Sequence, residues 1–127
     1  FGVSTDILMI VNYGTNNIVQ WKIGDRNRTV FTGNINGATG STLTQLYGPE
    51  CLVTDPMDNL YVADRYNHRV QFFLPDQPNG TTIAGKTAIS GYNSTLLYHP
   101  IDVALDTQLN LYVADTLNHR IQKFLRY

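Results

Sequence analysis

The chain repeats itself at an interval of 51 residues. Leu60-Tyr61-Val62-Ala63-Asp64, followed by Asn67-His68-Arg69-Val70-Gln71, recurs as Leu111-Tyr112-Val113-Ala114-Asp115, followed by Asn118-His119-Arg120-Ile121-Gln122. Each copy opens on a residue before proline, Gly48-Pro49 and His99-Pro100. A period of this length, built from short β-type runs and turn residues, marks an architecture in which one copy cannot bury its own apolar face and must stack on the next.

A third, weaker copy lies upstream with a one-residue slip. Leu8-Met9-Ile10-Val11-Asn12 falls under Leu60 to Asp64, Asn17-Ile18-Val19-Gln20-Trp21 under Arg69 to Phe73, and Arg28 to Gly33 under Gly80 to Gly85. It carries Asn where the later copies carry Asp and Arg. The equivalent of Gly48-Pro49 would precede residue 1, so the chain reads as beginning inside a repeat, a fragment of a longer array.

Four strands are expected within one repeat. Cys51 to Asp55 follows Pro49, and proline is tolerated where a strand opens and no ladder bond is donated. Leu60 to Ala63 is an unbroken apolar run after the turn signal Pro56-Met57-Asp58-Asn59, as expected of a middle strand covered on both faces. Arg69 to Leu74 is ended by Pro75, and Thr81 to Ala84 is launched by Asn79-Gly80. With no helical periodicity, the fold class is all-β: four-stranded antiparallel blades stacked radially as part of a β-propeller. The expected organisation is one partial propeller domain over 1–127, with blade remnants at 1–33, a full blade at 48–85 and an incomplete blade at 99–127. At 127 residues and 43% hydrophobic, the chain has apolar material for an ordinary core.

The pattern Leu-Tyr-Val-Ala-Asp-x-x-Asn-His-Arg-Val/Ile-Gln-x-Phe, preceded by Pro and a short strand, resembles the NHL repeat over residues 48–73 and 99–124. The resemblance implies a propeller of usually about six blades, of which about two and a half stand in this sequence. It also implies a choice of roles. Such propellers serve as interaction modules, as the C-terminal substrate- or RNA-recognition domain of tripartite-motif ubiquitin ligases, and, in related peptide-amidating lyases, as enzymes.

The signature residues admit two readings. Asp64, Asn67, Asp115 and Asn118 fit a repeat-structural role, because Asn tolerates left-handed backbone and an Asp side chain bonds the backbone of its own turn. Arg69 and Arg120 then open the next strand within reach of the carboxylates, so charge-assisted pairs are expected. In the other reading, Arg65, Tyr66, His68, Arg69, Leu117, His119 and Arg120, with Lys123, line one rim and contact a partner. The loop tyrosines Tyr47, Tyr66, Tyr92 and Tyr98 are further ligand candidates, since binding residues ride on loops of a rigid scaffold. Tyr61, Tyr112, Phe72, Phe73, Phe124 and Trp21 are expected to pack between blades.

Catalytic and metal chemistry find little support in the residues. A zinc site needs three or four converging ligands, and one His per blade spreads them around a ring. No nucleophile, base and orienter stand at diagnostic spacing, and no phosphate loop is present. Cys51 reads as a small buried residue, with a disulfide to a residue outside the chain as the alternative. No cofactor is expected.

The net charge of −1 supplies no global field toward nucleic acid or anionic membrane. A protein or glycan is therefore the expected partner, with nucleic acid a weaker alternative and self-association of the isolated chain expected from unpaired strand edges. No apolar run approaches the roughly 20 residues of a membrane-spanning helix. Asn27-Arg28-Thr29, Asn79-Gly80-Thr81 and Asn93-Ser94-Thr95 are N-glycosylation sequons, which favours an extracellular or secreted setting over a cytoplasmic one. The favoured function is a non-catalytic interaction module that binds a protein, glycan or small ligand through its loop rim as part of a larger polypeptide.

Overall fold

The computed structural model describes residues 6–126. Residues 1–5 and Tyr127, assigned above to the first and last blades, lie outside the described residues. Ten strands form three antiparallel sheets among the described residues. The first contains β1 (Ile7–Asn12), β2 (Asn17–Lys22) and β3 (Thr29–Gly33); the second β4 (Pro49–Thr54), β5 (Leu60–Asp64), β6 (Arg69–Phe73) and β7 (Thr81–Gly85); the third β8 (Pro100–Leu105), β9 (Leu111–Asp115) and β10 (Arg120–Phe124). Each sheet is a meander, with strands neighbouring in sequence order.

The sheets stack face to face as successive β-propeller blades, and the first strands β4 and β8 contact one another, as convergence on a common axis requires. Pro49 and Pro100 are the first residues of their strands, where the absent N–H costs nothing. A bulge follows each proline: Pro49 and Cys51 face Asp64 and Ala63, and Pro100 and Asp102 face Asp115 and Ala114. The first strand of the full blade thus runs two residues earlier than the expected Cys51 start and stops at Thr54, leaving Asp55 to the turn.

Two separate cores fill the two blade junctions. Ile18, Leu46, Leu60, Val62 and Phe73 form the first, with Met9, Val11, Phe31 and Leu52 packed against them. Tyr61, Ala63, Val70, Leu97, Val103, Leu111 and Val113 belong to the second, flanked by Phe72, Ile83 and Phe124. The period-2 geometry of a strand divides β5 between them: Leu60 and Val62 point toward the first blade, Tyr61 and Ala63 toward the third. Every residue of β5 is buried, as an unbroken apolar run between two neighbours demands. Leu46 and Leu97, one period apart in the connecting loops, are completely buried and plug the two junctions.

The aromatic residues sort with these cores. Phe31 meets Phe73 edge to face at 5.8 Å, and Tyr61 meets Phe72 likewise at 5.2 Å. Tyr112 instead lies partly exposed beneath Lys123 Nζ, 5.5 Å from its ring centre. Trp21 belongs to neither core; its Nε1–H donates to the Asp25 carbonyl at 2.9 Å.

Gly33 and Gly85 close equivalent outer strands with φ of 89° and 78°. A Cβ at Gly85 would run into the His68 carbonyl oxygen, and one at Gly33 into the Asn16 carbonyl oxygen, both backbone atoms of the preceding turn. Left-handed backbone and a steric stop act together. Gly85→Ala is expected to destabilise the fold by about 1–3 kcal/mol, read as a lower midpoint in urea denaturation, while Gly14→Ala, whose Cβ meets nothing within 4 Å and whose φ is not positive, loses less.

Candidate functional site

The rim is built at the end of the blades where each second strand turns into the third. Asp64 ends β5 with a fully buried carboxylate, an expensive placement unless donors surround it. Its Oδ2 accepts from Arg69 Nε and Asn67 Nδ2, both at 2.8 Å, and its Oδ1 accepts from the Tyr47 backbone N–H at 2.8 Å. Arg69 is buried as well. Its Nη1 donates to the Ser41 carbonyl at 3.1 Å, and its Nη2 to the Thr42 and Gln45 carbonyls at 3.0 and 2.8 Å. Asn67 also reaches the Gly40 carbonyl at 2.7 Å. A planar guanidinium with five donors suits this work, since a carboxylate and several carbonyls can share it.

The clamp recurs one period on. Asp115 accepts from Arg120 Nε at 2.8 Å, Asn118 Nδ2 at 2.8 Å and the Tyr98 N–H at 2.6 Å. Arg120 holds the Tyr92, Asn93 and Leu96 carbonyls, and Asn118 the Gly91 carbonyl. In the first blade the positions are Asn12 and Asn17, joined by a side-chain hydrogen bond of 3.3 Å, and Asn17 Nδ2 reaches the Asn34 carbonyl at 3.1 Å. The neutral pair keeps one bond to the connecting loop where each Asp–Arg pair keeps four.

This geometry separates the expected rim residues. Arg69 is fully buried, and its guanidinium is used within the clamp, so it presents nothing to a partner. Arg120 spends its three nitrogens the same way, although about a quarter of its side chain remains exposed. Lys123 lies toward the far end of β10, beside Tyr112. The expected row of cations along one rim is therefore broken. Arg65 does reach the rim, but its Nη1 pairs with Glu50 Oε1 at 2.6 Å. Leu117 and His119 are both exposed at the turn of the third blade. The left-handed residue of each turn is the histidine and not the asparagine: His68 has φ 55° and His119 φ 52°, while Asn67 and Asn118 sit in the 3-10 turns Arg65–Asn67 and Thr116–Asn118.

What gathers at the rim is aromatic. The Tyr13 and Tyr66 hydroxyls are 3.0 Å apart, Tyr47 leans on Tyr66 with ring centres 5.0 Å apart, and the Arg65 guanidinium lies 4.9 Å from the centre of the Tyr66 ring. His99 stands edge-on to Tyr66 at 4.9 Å and stacks on His68 at 5.0 Å with 14° between the planes. Tyr98 closes the band against His68 at 5.4 Å. The band crosses all three blades and stays open to solvent, with Tyr13, Tyr47 and Tyr98 at 47%, 44% and 39% exposure. The expectation that histidines spread evenly around the ring overlooked His99, which the loop before β8 brings onto His68. Tyr92 is exposed but outside the band.

At the opposite end stands a second bracket that the sequence reading did not anticipate. Asp55 Oδ1 accepts the Met57 and Asn59 backbone N–H groups, and its Oδ2 accepts from Asn59 Nδ2 at 2.9 Å and the Tyr61 hydroxyl at 3.0 Å. Asp106 repeats all four bonds with Gln108, Asn110 and Tyr112. Burial alone would raise the Asp55 carboxyl, but the donors together outweigh it and hold it below its ordinary range; Asp106 is held low chiefly by Asn110. Tyr61 is pushed up to about 12, by burial first and then by Asp55. The signal was in the sequence: Asp, then Asn four and Tyr six residues later, in both strong repeats.

Cys51 and the sequon asparagines stand apart from both brackets and the band. Cys51 is a free thiol that donates to Asp102 Oδ1 at 3.0 Å, and burial, aided by that carboxylate, pushes it up to about 11, far from a reactive thiolate. Asn27, Asn79 and Asn93 are exposed in loops, although the Asn93 Oδ1 accepts the Thr95 and Leu96 N–H groups. Among the described residues no three His, Cys, Asp or Glu side chains converge as a metal site would require.

Removing one partner of a fully buried pair strands the other charge. Arg69→Ala is expected to cost about 3–5 kcal/mol, and Arg65→Ala, at an ion pair open to water, at most about 1 kcal/mol. Chemical denaturation of the two variants beside the unaltered chain measures both, and similar losses would contradict the clamp's dominance.

The NHL repeat family model matches residues 46–73 and 97–124, spanning the loop leucine, the first three strands and the clamp of the second and third blades. NHL repeat-containing protein 2 of Homo sapiens is 36% identical over 69 residues, which covers 50% of this chain and 10% of the relative. Among solved structures, an auxiliary nutrient binding protein from Bacteroides thetaiotaomicron VPI-5482 superposes with a TM-score of 0.75 at 24% identity, and one from Bacteroides ovatus ATCC 8483 with 0.72 at 23%. Each comparison covers 91% of this chain and 33% of the other, so this chain spans a third of those structures and a tenth of the human relative. The chain thus carries two NHL repeats, one in each of two successive antiparallel blades.

Proposed function

We propose that the chain is a non-catalytic interaction module that takes its ligand on the rim formed by the loops before β4 and β8 and the turns after β1 and β5. The observation that supports this reading is the solvent-open aromatic band of Tyr13, Tyr47, Tyr66, Tyr98, His68 and His99, mounted on loops fixed by buried clamps. Rigid rings combine large contact area with a small entropic cost of ordering, and their hydroxyls and ring nitrogens supply directional bonds.

The chemistry of the band favours a neutral polar ligand such as a glycan or an uncharged peptide segment. Arg65 is balanced by Glu50, and Arg69 and Arg120 are turned inward by Asp64 and Asp115. Phosphate-rich partners gain most of their affinity from unpaired Lys and Arg, and pairing of the rim arginines weighs against the nucleic-acid reading that the resemblance allowed. The single-domain organisation over 1–127, as part of a larger polypeptide, belongs to the same proposal. An extracellular setting is proposed on the three exposed sequon asparagines. No helix among the described residues is long and apolar enough to cross a membrane.

Glycan and peptide arrays probed with the chain are expected to yield a ligand whose binding Tyr66→Ala weakens by about 2 kcal/mol, roughly thirty-fold. Met57→Ala, exposed at the opposite end, is expected to bind as the unaltered chain does. Unchanged binding by Tyr66→Ala and Tyr47→Ala would move the ligand off this rim.

A further inference from the structure

The left-handed residue of each turn performs a second task that differs between the two blade junctions. In the first blade Asn16 Oδ1 accepts the Gly48 backbone N–H at 2.8 Å, tying the first turn to the residue before Pro49. One repeat later His68 Nδ1 accepts the His99 backbone N–H at 3.2 Å, tying the second turn to the residue before Pro100. The backbone frame is the same, with φ of 54° at Asn16, 55° at His68, 64° at Gly48 and 54° at His99. The acceptor is an amide oxygen in one junction and an imidazole nitrogen in the other. An amide oxygen accepts at any ordinary pH, whereas an imidazole nitrogen accepts only while it carries no proton.

We infer that His68 and His99 form a proton-released latch between the second and third blades, closed when both rings are neutral and opened when either gains a proton. Closed, His68 is the tautomer with hydrogen on Nε2, its Nδ1 lone pair takes the His99 amide, and the rings lie flat on one another between the edges of Tyr66 and Tyr98. A proton on His68 Nδ1 sets donor against donor. A proton on either ring also places a cation against the stacked partner.

Charged and titratable groups face the two rings from several elements. From the turn after β5 come Arg65 and Tyr66, from β4 Glu50 bridging to Arg65, from the loop before β8 Tyr98, and from β9 the buried Asp115. Burial first, and then His99, holds His68 below the ordinary imidazole range, with Asp115 opposing; burial first, and then Arg65, holds His99 low. Both folded values lie below the unfolded ones, so the unfolded chain binds more protons. The latch therefore contributes stability above about pH 6.5 that is lost as pH falls through the folded values. The latch rests on backbone and ring geometry and does not depend on the ligand of the rim.

Hydrogen exchange at the His99 amide and thermal melts of the full chain at pH 7.5 and 5.0 test this. The window stays above Asp55 and Asp106, which are held below their ordinary 3.8, whereas burial raises the Asp64 carboxyl; His68→Asn keeps Asp64 unchanged and so carries any acid response of that carboxyl as the reference. The chain is expected to lose His99 amide protection, corrected for intrinsic rate, by about tenfold for each unit by which the folded imidazoles lie below the free value, and its Tm falls on acidification. His68→Asn, which installs the Asn16 arrangement, is expected to keep that protection at both pH values and to show a smaller fall in Tm. His99→Gly, which installs the residue found at Gly48, removes the stack. Equal acid responses of the chain and His68→Asn would overturn the latch. Imidazole nitrogen spectra of the unaltered chain provide an independent readout: an unprotonated Nδ1 on His68 at pH 7.5 is expected, and a protonated Nδ1 there would overturn it.

Discussion

A carboxylate with no exposure to water and a guanidinium equally sealed off sustain the geometry of this protein. Neither Asp64 nor Arg69 would be stable alone in such a place, because burial removes the hydration of a charge and returns nothing unless every lone pair and proton is used. The pair meets that demand by recruiting the loop that arrives from the preceding blade: the Tyr47 N–H satisfies the acid, and three loop carbonyls satisfy the base. The need to solvate two buried ions thus becomes the force that shapes a connecting segment with little regular structure of its own. The rim tyrosines occupy their positions because Tyr47 and Tyr98 are the residues whose amides the two acids hold.

The architecture was largely legible in the residues. An apolar run such as Leu60 to Ala63, too short for a helix and bounded by turns, has one reading as a strand covered on both sides, and its recurrence at Leu111 fixed the repeat. Even the weak first copy could be traced, because Gly33 and Gly85 answer the same backbone need. The ion pairs of Asp64 with Arg69 and Asp115 with Arg120 followed from charge at turn spacing.

The sequence was less informative about which side chains meet across blades. Nothing in the spacing of His68 and His99 says that a linker folds back to lay one on the other, since that contact is set by the loop before β8, left-handed at His99, and by the left-handed turn at His68. The same gap explains Arg69: a cation at the start of a strand reads as exposed until the loop that covers it is in place. The bracket of Asp55, Asn59 and Tyr61 was different. Its parts lie within seven residues and repeat at Asp106, Asn110 and Tyr112, so local chemistry alone would have found it.

The division of β5 between two cores bears on how the blades communicate. Val62 and Ala63 are joined by a peptide bond, yet one packs in the first junction and the other in the second. The two hydrophobic interiors share no continuous apolar mass; the middle sheet, one residue thick and with the extended strand β5 buried within it, is the partition between them. Strain at one junction reaches the other only by tilting or sliding that strand, which its ladders to β4 and β6 resist. The middle blade therefore acts as a stiff bulkhead between two compartments, so that a side chain remodelled on one face for a new neighbour leaves the opposite compartment largely undisturbed.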